Sequence, residues 1–223
     1  FTASPDRVMT ETNSSTPDEA FPAVLDLSRN EGELPPDECL EGVLANGPAL
    51  LRDYVEAGEL EVALAEYIGT RPEQVLATTG GDDAIDRILR YHLAPGDELI
   101  VPVPTFEMIP AFTRMVDAQL IPVEYEWGAF PLSEILDRVT ARTRVVVAVS
   151  PDNPTGAAAS GQTLIDLATA LPEPVVLLVD QAYIEFADED PTAALLSVPN
   201  VLLVRTLSKA WSLAGLRVGY LVG

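Results

Sequence analysis

Lys209 is the only lysine in a chain whose 13 basic residues are otherwise all arginine. An amine can do what a guanidinium cannot: desolvated, or set near other positive charge, it loses its proton and attacks a carbonyl to form a Schiff base. Lys209 lies in the stretch NVLLVRTLSKAWSLAGLRVGY at 200–220. There VLLVRT reads as a buried strand, Leu207, Ser208 and Lys209 as a turn, and a run of small residues leads on to Arg217. Hydroxyls at Thr206 and Ser208, the lysine and the arginine could together hold a phosphorylated aldehyde. On this stretch alone a solvated surface lysine is the alternative.

Three further groups invite chemistry. Thr79-Gly80-Gly81-Asp82-Asp83 opens a helix, so unpaired backbone N–H groups and a positive dipole end are available to an anion. First-turn acids can point outward and stabilise the helix start, and a plain glycine turn with an aspartate cap reads equally well. In Pro151-Asp152-Asn153-Pro154-Thr155-Gly156, two prolines and a glycine restrict the backbone, which could aim the Asn153 amide at a ligand oxygen or merely punctuate a loop. Asp180 ends the run VVLLV, where an ionised carboxylate is costly without a cation such as a protonated ring nitrogen. Three residues on, Tyr183 offers a phenol. An aspartate capping the next turn is the simpler alternative for Asp180.

The elements that must position these groups follow from the apolar pattern. Short apolar runs occur at 75–79, 98–103, 119–125, 144–150, 175–180, 200–206 and 217–222, with helical segments between most of them, notably 82–92, 105–117, 132–139 and 161–171. Such alternation predicts an α/β fold with a mainly parallel sheet covered on both faces, whose ligands collect beyond the carboxyl ends of the strands. Those ends carry Gly80-Gly81, Pro104-Thr105-Phe106, 151–156, 180–183 and 206–209. Earlier in the chain, Asp37 can cap a short helix through Leu44, followed by a turn at 46–48. The segment 58–68 places Leu60, Ala63, Leu64, Tyr67 and Ile68 on one helical face and ends at Gly69. Residues 1–20, polar and rich in Ser, Thr and Pro, predict a flexible arm.

Composition excludes several functions. A net charge of −22 opposes nucleic acid or an anionic membrane as partner. Small anionic ligands remain open, because charges more than about 8 Å away are largely screened and a local arginine with backbone amides can outweigh them. One cysteine, Cys39, supports no internal disulfide and reads as a small buried hydrophobe. One histidine, His92, sits on a predicted helix far from any nucleophile and reads as structural; no metal site is expected. With no apolar segment of membrane-spanning length, a soluble, cytoplasmic protein is expected.

Together, NPTG at 153–156, DQAYIEF at 180–186 and RTLSKAWSLAGLRVGY at 205–220 resemble the fold-type I, pyridoxal-phosphate-dependent aminotransferases of class I/II, most closely the histidinol-phosphate branch. The resemblance runs from about Asp26 to Gly223. It implies a three-layer sandwich around a mainly parallel seven-stranded sheet over 58–223, preceded by an N-terminal segment at 21–57 that serves a small domain or dimer contact. On the family pattern, a smaller C-terminal domain with a substrate-clamping arginine is expected to lie beyond Gly223. It further implies that Lys209 holds pyridoxal 5'-phosphate as a Schiff base and later shuttles a proton, and that Asp180 keeps the pyridine nitrogen protonated. Asn153 and Tyr183 would bond the ring's phenolic oxygen, with Phe106 stacked on the ring where many relatives use tyrosine. Arg217, Ser208, Thr206 and the N–H groups of Gly81 and Asp82 would meet the phosphate. Tyr54 would reach a neighbour's phosphate across a homodimer interface. Gln181 and Asp152 stand where the family pattern has glutamate and asparagine. The partners implied are a small-molecule amino donor and a 2-oxo acid acceptor: L-histidinol phosphate with 2-oxoglutarate. Aromatic amino-acid transamination, threonine-phosphate decarboxylation and a non-catalytic fragment are the alternatives.

Overall fold

Aliphatic runs of four to seven residues bury well only if both their faces are covered. The computed structural model describes residues 30–32, 35, 37–45, 47, 52, 54, 56–125 and 128–223. Among these, β1 (Val75–Thr78), β2 (Glu98–Val103), β3 (Gln119–Glu124), β4 (Thr143–Val149), β5 (Val176–Asp180), β6 (Val201–Thr206) and β7 (Gly219–Val222) form one sheet. Its order is β1-β7-β6-β5-β4-β2-β3. All neighbours pair in parallel except β7, which runs antiparallel to both β1 and β6.

Successive residues of a strand point to opposite faces, and the core divides accordingly. Leu99, Val101, Val145, Val147, Leu178 and Val204 pack with Ile85, Ile88 and Leu89 of α3 (Gly80–His92) and with Ile109 and Phe112 of α4 (Met108–Met115). Ile100, Val146, Leu177, Val179 and Leu203 face the opposite way. They meet Leu64 of α2 (Gly58–Ile68), Ile135 of α5 (Leu132–Arg138), Leu164 and Leu167 of α6 (Gly161–Ala170) and Leu195 of α7 (Thr192–Leu195). The result is the expected three-layer α/β sandwich. Val145, Val146 and Val147 are fully buried. At about 1.5–3 kcal/mol per buried aliphatic side chain, the middle of the sheet anchors the fold and leaves its edges free for polar groups.

Several boundaries differ from expectation. α3 begins at Gly80 rather than 82, because Asp83 Oδ2 reaches back to accept the Thr79 N–H at 2.9 Å and satisfies a donor at the helix start. α4 is shorter than the predicted 105–117, leaving Thr105 and Phe106 in a loop at the end of β2. β7 begins at Gly219 rather than 217 because Arg217 adopts a left-handed φ of 52°, which no strand accommodates. The face predicted for α2 holds in part: Leu64 is buried and Ile68 packs half-buried against the core, together with Ala65, whereas Leu60, Ala63 and Tyr67 are exposed. Tyr67 packs instead edge-on against Trp211, ring centroids 5.3 Å apart. α2 does end at Gly69, left-handed at φ 73°. An N-terminal helix, α1 (Asp37–Ala45), has Asp37 inside its first turn rather than before it.

Residues 31–223 form one compact unit. Of the preceding unit, 1–30, only Asn30 is described, so the arm expected over 1–20 lies outside the described residues, as do most of the turn at 46–48 and the Cys39 side chain. His92 closes α3, half-buried against Tyr91, and burial lowers its pKa. No helix among the described residues is long and apolar enough to cross a membrane.

Candidate active site

The register brings the chemistry to one edge. Thr78 of β1 and Thr206 of β6 both lie opposite Gly219, the first residue of β7, and Asp180 at the end of β5 lies opposite Val149 of β4 and Val204 of β6. Because β7 runs the other way, its start falls where its neighbours end. Arg217, two residues earlier, is thereby delivered to the same edge as the 206–209 turn.

The first turn of α3 sits directly on that start. A Cβ at Gly219 would lie 2.5 Å from the Gly80 carbonyl carbon and 2.7 Å from the Gly81 nitrogen, so only glycine permits this approach. A Cβ at Gly80, itself at φ +81°, would lie 2.6 Å from Arg217 Nη2. The guanidinium therefore covers the helix N-terminus, where the N–H groups of Gly81 and Asp82 precede any intrahelical acceptor. Arg217 Nη1 donates to the Ala214 carbonyl at 3.1 Å and approaches Ser208 Oγ at 3.5 Å. Thr206 Oγ1 donates to Ser208 Oγ at 2.9 Å and accepts the Ser208 N–H at 3.1 Å. Gly81 adjoins the same threonine: its Cβ would stand 3.7 Å from Thr206 Cβ, an ordinary contact. Two hydroxyls, a guanidinium and a helix N-terminus thus form a cup suited to an anion of several oxygens.

Beside the cup lies a second polar group. Asp180 is 4% exposed and accepts the Ala182 N–H at Oδ1, 3.0 Å away. Burial pushes its pKa up to about 6; the Ala182 N–H opposes the shift and the nearby charges of Asp82 and Asp152 add to it. Lys209, half-buried in the turn after β6, holds Nζ 5.6 Å from the centre of the Tyr183 ring. A carboxyl group that resists ionisation, an amine over a phenol and an anion cup accordingly share one edge.

The remaining sequence candidates are placed as follows. Asn153 is half-buried in a loop with cis peptides at Ser150–Pro151 and Asn153–Pro154. Asp152 organises that loop: its Oδ2 accepts the Thr155 N–H at 3.2 Å and the Thr155 hydroxyl at 2.6 Å, while its carbonyl accepts the Gly156 N–H. Phe106 packs half-buried against the α3–α4 face of the core. The neighbouring Thr105 hydroxyl is buried without a hydrogen-bond partner. Tyr54 is fully exposed, away from the buried core.

Sequence reasoning missed a buried polar cluster beneath the edge. Arg205 of β6 is 2% exposed, donating from Nε to Gln181 Oε1 at 3.2 Å and from Nη2 to Thr192 Oγ1 at 3.0 Å, with Asp190 as its ion-pair partner. Its signal was an arginine inside the strand VLLVRT, which demands an acid nearby. Gln181 Nε2 is buried without a partner.

Residues 33–223 match the family described as Aminotransferase class I and II. The chain belongs to that family. Among curated relatives, an aromatic amino acid aminotransferase of Mycobacteroides abscessus is 31% identical over 220 residues, 96% of this chain and 63% of the relative. A histidinol-phosphate aminotransferase of Oleidesulfovibrio alaskensis is 35% identical over 207 residues, 88% of this chain and 54% of the relative. Among solved structures, histidinol-phosphate aminotransferase from Sinorhizobium meliloti in complex with pyridoxal-5'-phosphate superposes with a TM-score of 0.82 at 29% identity, covering 87% of this chain and 55% of that one. The chain thus spans between about half and two thirds of the length of the curated relatives it matches.

Proposed function

We propose that this chain carries the cofactor-binding part of a pyridoxal-phosphate-dependent aminotransferase. The observation that supports this best is the convergence of Arg217, Ser208 and Thr206 over the glycine start of α3, beside Asp180 and the Lys209–Tyr183 pair. The residues fit the cofactor. The cup matches a phosphate, and a buried carboxyl pushed up to about 6 wants a cation, which a protonated pyridine nitrogen supplies. When bound, pyridoxal phosphate supplies an electron sink conjugated to the substrate Cα.

In this reading the protein's own groups divide the work. The cup would hold the phosphate end of the cofactor. Asp180 would keep a proton on the pyridine nitrogen, Asn153 and Tyr183 would hold the phenolic oxygen, and Phe106 would pack on the ring. Lys209 Nζ would tether the cofactor and, when released from it, would hold and pass on a proton. The phenol face of Tyr183, 5.6 Å from Nζ, is close enough to steady that amine when it is protonated.

The proposed reaction moves the amino group of L-histidinol phosphate to 2-oxoglutarate, in keeping with the relatives and the solved structure named for the histidinol-phosphate reaction. Transamination of aromatic amino acids is the second reading, favoured by relatives of that name aligned over 96% of the chain. The assembly we propose is a homodimer in which the exposed Tyr54 reaches the partner's phosphate. Borohydride reduction of protein saturated with pyridoxal phosphate, followed by peptide mass spectrometry, should place a pyridoxyl group on Lys209. Lys209→Ala should lose both that label and the visible absorbance. A label elsewhere, or binding unchanged in the variant, would refute the cofactor assignment. Parallel assays with histidinol phosphate and phenylalanine separate the two donors.

A further inference from the structure

The guanidinium of Arg217 already has an anion beside it. Asp82 Oδ2 lies 3.4 Å from Nη2, and the two side chains are 46% and 45% exposed, so the pair stands at the rim where it can exchange. Asp82 is not needed to cap α3. Asp83 does that, taking the Thr79 N–H at 2.9 Å and pairing with Arg87 Nε at 2.9 Å. Nor does the arginine depend on Asp82 for its position: its left-handed backbone, its bond to the Ala214 carbonyl and the absent Cβ of Gly80 already set it over the helix start. Of two adjacent acids, one serves the helix and the other is turned to the cup.

We propose that Asp82 is a specificity determinant of the cup: its carboxylate occupies Arg217 until an anion with more to offer displaces it. The inference rests on reading the cup as the cofactor's phosphate site. A phosphate dianion meets the guanidinium, the hydroxyls of Thr206 and Ser208 and the first-turn N–H groups together, and so outcompetes a carboxylate that meets the guanidinium alone. A monoanion that engages only Arg217 gains nothing over Asp82 and is refused. The carboxylate also sets an upper bound on phosphate affinity, since it stays close to the bound dianion as a like charge.

The test is binding to cofactor-stripped protein, titrated with pyridoxal phosphate and with pyridoxal, which lacks the phosphate. Asp82→Asn should bind pyridoxal phosphate about three-fold more tightly, the scale of an exposed ion pair, and pyridoxal unchanged. Acetate should compete with pyridoxal phosphate in that variant but not in the wild type. Asp82→Ser, also neutral, must give the same order. Weaker or unchanged binding of pyridoxal phosphate by both variants overturns the proposal and makes Asp82 an orienting partner of Arg217. Arg217→Ala tests the underlying reading separately. If it keeps the wild-type preference for pyridoxal phosphate over pyridoxal, the cup is not the phosphate site and both ideas fall.

Discussion

Asp180 is the residue whose environment makes the sharpest demand. Its folded pKa of about 6 lies above the roughly 3.9 of an unfolded aspartate. Well below pH 4 the carboxyl is neutral in both states and burial is harmless. Between about pH 4 and pH 6 the unfolded chain ionises while the buried group does not, so stability falls; once pH passes 6 the native carboxyl ionises too and the loss levels off. Relative to Asp180→Asn, which keeps the shape without the charge, the cofactor-free protein should lose up to about 3 kcal/mol between pH 4 and pH 7. Urea unfolding of both across that range checks it, and a constant difference would contradict it. This residue was legible in advance because an acid closing an apolar strand is conspicuous, as is a solitary lysine. The division of labour between Asp82 and Asp83 was not. Adjacent acids in a first turn have the same local preference, and only the arginine arriving from 135 positions away tells them apart.

At the level of elements, hydrophobic periodicity read the sheet well because the central strands are buried on both faces and tolerate little else. It read α2 poorly. That helix buries only Leu64 and Ala65 fully, so its apolar residues do not share the single inward face that periodicity assumes. Least visible was Gly219, which looks like filler in the strand GYLV yet is where the backbone of α3 touches β7. Gly219→Ala would push a methyl group against three backbone atoms within 2.8 Å, none of which can rotate aside. The expected cost is about 1–3 kcal/mol, seen as a lower melting temperature together with weaker binding of pyridoxal phosphate. Gly215→Ala, with nothing within 4 Å of the added atom, is the control and should be near neutral. Equal effects of the two substitutions would mean that the contact between α3 and β7 carries no special weight.

Across the whole molecule, a net charge of −22 sets long-range self-repulsion against local attraction at the cup. Salt acts on both, since the screening length falls from about 10 Å at 0.1 M to about 3 Å at 1 M. Raising potassium chloride over that range should raise the melting temperature of the cofactor-free chain and lower its affinity for pyridoxal phosphate. The opposite signs are the signature; a melting temperature that fell would show that specific pairs such as Arg205 with Asp190 outweigh the global repulsion.

The reversed direction of β7 has a mechanical consequence. Its connection from β6 is cross-braced by Leu207 N–H on the Val218 carbonyl, Leu213 N–H on the Leu207 carbonyl and Ser212 N–H on the Lys209 carbonyl. Amine and guanidinium therefore ride on one stiff bracket between neighbouring strands, whereas Asp180 stands on separate footing. A shift of that bracket would preserve the spacing between tether and anchor and change only their joint distance from the acid, so a seated ligand would pivot about Asp180 rather than stretch.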